Sequence, residues 1–236
     1  MYKQIIEDIQ NLINDTVAKG QLRFFKTGKG QYAEGDKFYG LTNPVVRNLV
    51  KKYKNKVDID TFAKLLKDPY HEVRLTSLLL MVEKFNKSDL LEKKKIVKLY
   101  IDNAQYINNW DLVDLSVYKI LGKYCVEIND YSLLYKLSET KHLWSERMSI
   151  VANWIIVKNG EFDVFISLAK KFLSHKHDLM HKAVGWILRE MGKSSDEGYK
   201  RLLNFLDENA SCMPRTMLRY SIERLPKDLQ KKYMNI

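Results

Sequence analysis

Five triplets decide the fold: Glu72-Val73-Arg74, Leu112-Val113-Asp114, Ser145-Glu146-Arg147, Met180-His181-Lys182 and Met213-Pro214-Arg215. Their third residues are 40, 33, 35 and 33 positions apart. Each triplet belongs to a segment whose apolar residues recur at helical spacing, and each such segment follows another of the same kind. The spacing predicts helix pairs at about 58–67 with 71–85, 89–102 with 110–124, 131–139 with 145–158, 161–173 with 178–191 and 196–208 with 214–224. A period of roughly 34–47 residues built from two helices is the signature of stacked helical repeats. One pair alone cannot bury its apolar face, so neighbours stack into a curved solenoid with a concave surface. The expectation is an all-α chain of about six repeats, forming one domain over residues 1–236.

The rest of the chain agrees. Only 4 prolines and 10 glycines punctuate 236 residues, few for a protein of many strands and turns. Asn43-Pro44, Asp68-Pro69, Met213-Pro214 and Leu225-Pro226 place proline at or near first helical turns. Asn159-Gly160 reads as a helix end. A hydrophobic content of 45% and a charged content of 29% exclude a disordered chain. The apolar stretch Ile150–Val157 is interrupted by Asn153 and is too short to span a bilayer, which takes roughly 20 apolar residues. Acidic residues near the start do not suit a signal peptide, and Cys125 and Cys212 suit neither a disulfide framework nor a zinc site. A cytoplasmic protein is expected.

The formal charge is +11, which favours a polyanionic partner unless the lysines merely solvate helix surfaces. Equivalent repeat positions hold Arg74, Arg147, Lys182 and Arg215, with Asp114 as the one acid. On one surface they would form a basic stripe able to neutralise backbone phosphates; alternatively they pair between neighbouring repeats. Trp110 lies four residues before Asp114, while Trp186 lies four after Lys182 and three before Arg189, so each group shares a helix face. Trp154 reads instead as a packing residue.

Asn43-Pro44-Val45-Val46-Arg47 reads as a capped helix start able to hold a phosphate, within a run of five basic and no acidic residues to Lys56. His175, His177 and His181 lack the carboxylate and cysteine partners of a metal site, and no metal is expected. Gly28, Gly30 and Gly35 do not match a phosphate loop and suit a bend between helices. No nucleophile-base arrangement is apparent. One carboxylate among cations and aromatics suits the stabilisation of an electron-poor carbon, as in an oxocarbenium-like transition state.

At these residues the sequence resembles the AlkD-type DNA glycosylases, the HEAT-repeat DNA alkylation repair enzymes. The likeness is carried by Phe24–Asp36, Asn109–Leu115, Leu143–Val151, Lys176–Glu190 and Met213–Arg224. It implies a HEAT-like solenoid with a concave, basic DNA-binding face. It also implies excision of cationic N3- and N7-alkylated purines from duplex DNA, with the lesion left in the duplex and no cofactor.

By the resemblance, Asp114 stabilises charge at the sugar C1′ and positions water. Trp110 and Trp186 pack against the deoxyribose, and Arg147 holds a phosphate. Arg47, after Asn43-Pro44, contacts the backbone. Arg74, Lys182, Arg189 and Arg215 complete the expected DNA-binding set. Glu146 departs from the family, in which many relatives carry a basic or neutral residue there. A monomer acting on alkylated double-stranded DNA, away from membranes, is expected. Two other readings stand beside it: a non-catalytic relative that binds branched or distorted DNA, and a scaffold for acidic proteins.

Overall fold

The computed structural model describes residues 1–236. The chain is all-helical; its one β-type contact is an isolated bridge between Lys37 and Tyr70. Packing divides it into two compact units, Met1–Ser116 and Val117–Ile236.

The first unit contains α1 (Tyr2–Gln10), α2 (Asp15–Phe24), α3 (Asn43–Tyr53), α4 (Ile59–Leu66), α5 (His71–Phe85), α6 (Leu90–Asp102) and, after a 3-10 turn, α7 (Trp110–Val117). Short polar side chains start several of these helices by accepting an orphan amide. Asn14 caps Val17, Asp58 caps Thr61 and Asp89 caps Glu92. The predicted cap at Asn43 lies one residue late. Thr42 is the cap, without a side-chain hydrogen bond, and Pro44 follows in the first turn, where its missing N–H costs nothing.

Helix α5 is the axis of this unit, packed by α3, α4 and α6. Of its fifteen residues only Glu83 and Lys84 are not buried. A helix enclosed on all sides should be apolar throughout, yet α5 opens with His71, Glu72 and Arg74, all buried.

The second unit contains a π-helical turn (Tyr118–Gly122), α8 (Lys123–Ile128), α9 (Ser132–Ser138), α10 (Leu143–Val151), α11 (Asn153–Lys158), α12 (Asp163–Lys171), α13 (Asp178–Gly192), α14 (Asp196–Asn209), α15 (Arg215–Ile222) and α16 (Lys227–Met234). Two predicted helices are thus interrupted, at the π turn and at Ala152. Both interruptions meet at Gly122, where an added Cβ would lie 2.4 Å from the Ala152 carbonyl oxygen. Apolar spacing does not report such backbone contact.

Helix α13 organises the unit, packing against α10, α11, α14 and α15. Gly185 permits the α15 contact, because a Cβ there would lie 2.5 Å from the Met217 carbonyl oxygen. Gly185→Ala should therefore push the two helices apart and cost about 1–3 kcal/mol, read as a lower urea-unfolding midpoint. An unchanged midpoint would show that α15 shifts without penalty.

Candidate active site

Within the first unit, Trp110 and Asp114 sit one turn apart on α7, both half-buried. The indole N–H of Trp110 donates to the Tyr32 hydroxyl at 3.1 Å. Its ring lies 5.6 Å from that of Phe25 and 5.8 Å from that of Phe24. Phe24 is 64% exposed, so this aromatic cluster continues to the surface. Beneath Asp114, the phenol of buried Tyr100 bonds Ser116 at 2.7 Å. Burial pushes that phenol well above its usual range; the Ser116 hydrogen bond opposes the shift and the Asp114 charge adds to it.

Below this face lies a buried charge cluster whose members are far apart in the sequence. His71 Nε2 is 2.9 Å from Asp111 Oδ2, and His71 Nδ1 is 3.6 Å from Asp36 Oδ2, a distance for an ion pair rather than a hydrogen bond. Arg74 donates to Asp36 at 2.8 Å and to the carbonyls of Asp68 and Pro69, while Asn108 donates to Asp36 at 3.0 Å.

Burial alone would lower the His71 pKa. The charge and hydrogen bond of Asp111, together with Asp36, outweigh burial and the opposing Arg74 charge, and hold it at about 9. Burial likewise opposes ionisation of Asp36, but His71, Arg74 and Asn108 keep its carboxyl below the usual range. Two cations and two carboxylates thus balance in the interior.

The raised His71 pKa sets a pH dependence. An imidazole bound more tightly to its proton in the fold than in the unfolded chain contributes stability fully present below its ordinary 6.5. That contribution is lost as pH rises through about 9. Urea unfolding should show stability falling between these values by up to about 3 kcal/mol, a fall absent from His71→Gln. A wild-type profile flat across that window would contradict the charged imidazole.

The basic stripe is corrected at its first member. Arg74 is only 4% exposed and committed to Asp36, so it holds the interior together and presents no cation to a phosphate. The pairing alternative applies there. Arg147, on α10, is also buried, and its guanidinium donates to the Leu179 carbonyl in the first turn of α13. Farther along α13 follow Lys182, 2.7 Å from Asp178, then half-buried Trp186, then Arg189, which pairs with Glu223. Arg215 is exposed and donates to the Met234 carbonyl at 2.7 Å.

Arg47 and Asn43 are exposed on α3, and Arg47 forms no ion pair. Of the basic run that follows, Lys52 pairs with Asp8 and Lys54 with Glu83. The structure therefore brings Trp110 and Asp114 together in one unit. In the other it brings Arg147 to the start of the helix carrying Lys182, Trp186 and Arg189.

The remaining motifs are structural. His177 Nδ1 accepts from the Leu179 amide, His181 Nε2 meets the His175 carbonyl, and His175 Nε2 lies 3.1 Å from Glu146. The amides of Gly28 and Gly30 are taken by Gln31 and Glu34, which leaves no phosphate cradle there. Trp154 packs 4.8 Å from Tyr118 but is only half-buried, with Lys158 over its ring.

The chain is thus all-helical, with a tryptophan and a carboxylate one turn apart on α7 above a buried charge cluster. The family model described as DNA alkylation repair enzyme matches residues 5–225. The chain belongs to that family, and so to proteins of DNA alkylation repair. Its fold is similar to that of a solved structure described as a predicted DNA alkylation repair enzyme from Enterococcus faecalis. The TM-score is 0.72 over 91% of this chain and 97% of that one, at 15% identity. No curated protein sequence matches significantly. No helix is long and apolar enough to cross a membrane.

Proposed function

We propose that the protein is a monofunctional glycosylase that hydrolyses the N-glycosidic bond of N3- and N7-alkylated purines in duplex DNA. In this reading the chain acts as a single domain and a monomer, and it starts base excision repair without flipping the lesion. The observation that carries this reading is the Trp110–Asp114 face in a chain of the DNA alkylation repair family.

The chemistry follows from the charge of the substrate. An alkylated purine is already cationic and leaves without a general acid. What the departing base leaves behind is positive charge on the sugar, and a carboxylate beside it lowers the barrier electrostatically. Asp114 takes that role and orients the attacking water. Trp110 and Trp186 pack against the deoxyribose, where their π faces favour the developing cation. Arg147, beside the start of α13, is assigned to a neighbouring phosphate, which it would reach on a rearrangement of its buried side chain.

Arg47, Asn43, Lys182, Arg189 and Arg215 would hold the backbone, positioning the duplex without reading sequence. Arg47→Ala should accordingly weaken binding of damaged and undamaged duplex alike and reduce the salt slope by about one. An effect restricted to damaged DNA would assign Arg47 to the lesion instead.

The test of the function is paired. Binding to a methylated duplex and to a four-way junction is measured alongside release of free 7-methylguanine. Release, with no preference for the junction, supports a glycosylase. Tight junction binding without release supports the non-catalytic alternative.

A further inference from the structure

The buried charges below α7 are an expensive way to hold a helix. Packed apolar side chains of similar volume commonly do it as well or better. The cluster is also incompletely satisfied: Asp36 Oδ2, His71 Nδ1, Arg74 Nε and Asn108 Oδ1 are buried without a hydrogen bond. Stability alone does not account for it. What it supplies is direction.

His71 reaches the Trp110 turn by two routes. One is polar, through Asp111, the residue after Trp110, at 2.9 Å. The other is aromatic. The imidazole lies 4.9 Å from Phe25, whose ring lies 5.6 Å from that of Trp110. Phe38 lies 4.8 Å from the imidazole and stacks on Phe25 at 5.1 Å, so the three rings pack as one mutual cluster.

We propose that His71, as an imidazolium, is the positioning residue of the Trp110–Asp114 face, fixing the first turn of α7 through Asp111 and Phe25. The inference rests on reading that face as the glycosylase site. The charged groups facing the ring are Asp111 from α7, Asp36 from the segment before α3 and Arg74 from α5 itself. Glu72 is engaged elsewhere, accepting the amides of Tyr39, Gly40 and Leu41. Loss of the imidazole proton leaves two carboxylates against one guanidinium, and Asp111 loses its cationic anchor. The first turn of α7, which carries Trp110 and leads to Asp114, then loses its ionic tie to α5.

The first test needs no DNA. The protein is labelled with 5-fluorotryptophan, the Trp110 signal is assigned with Trp110→Phe, and its shift is followed between about pH 6 and pH 10. In the wild type the signal should titrate with the His71 midpoint near 9, and in His71→Gln it should not titrate. The second test is single-turnover base release, which should fall about 10- to 100-fold in His71→Gln while duplex affinity is retained. A wild-type Trp110 signal insensitive to pH overturns the proposal, as does a wild-type release rate in folded His71→Gln. If the wild type releases no base, the glycosylase reading fails, and the fluorine titration still decides whether His71 positions Trp110.

Discussion

Asp114→Asn should lower the single-turnover rate of 7-methylguanine release by about 10²–10³-fold, the usual cost of deleting one electrostatic stabiliser of a transition state. The substitution keeps the size and much of the hydrogen bonding of the side chain and removes its charge. The carboxylate acts on charge that develops only as the bond breaks, so duplex affinity should be nearly unchanged and the loss should appear in the chemical step. A fall in affinity with little change in rate would make Asp114 a binding residue. Wild-type release by Asp114→Asn would remove it from the mechanism.

The second large effect concerns stability. Arg74→Ala should destabilise the fold by about 3–5 kcal/mol, because it leaves Asp36 buried without its guanidinium. The same substitution at exposed Arg215 should cost under about 1 kcal/mol. Urea unfolding of the two variants side by side makes the comparison. If Arg74→Ala were nearly neutral in stability yet weakened DNA binding, Arg74 would belong to the surface after all.

The helix pairs were legible because apolar period, proline and cap residues are local signals. The observed α4–α5, α12–α13 and α14–α15 fall within a few residues of the predicted segments, and α10 with α11 covers the predicted 145–158. Equivalent position along a repeat specifies a helix face but not its depth. Arg74 and Arg147 are buried, Lys182 is half-buried and Arg215 is exposed, although the triplets align all four; Arg215 opens its helix, whereas the others lie a turn inside theirs.

The Asp36–His71–Asp111 cluster was illegible for another reason. Its members lie 35 and 40 positions apart, and nothing local joins them. One signal was present: His71, Glu72 and Arg74 open a helix that otherwise runs largely apolar to Phe85, a pattern that calls for buried partners. The interruptions at the π turn and Ala152 left no mark in the apolar spacing, which does not report the close approach of the two backbones at Gly122.

The Trp110–Asp114 pair was legible because four residues make one helical turn. The aromatic cluster that surrounds it, from Phe24 through Phe25 to Phe38, depends on a non-helical segment whose path the period does not describe.

The central claim is that the protein breaks the glycosidic bond of a cationic purine in duplex DNA. Its most direct test is a single-turnover reaction with protein saturating a duplex that carries one 7-methylguanine. The account predicts free 7-methylguanine and an abasic strand left unnicked by the protein. A duplex fully bound, with its methylated base still attached, would contradict it.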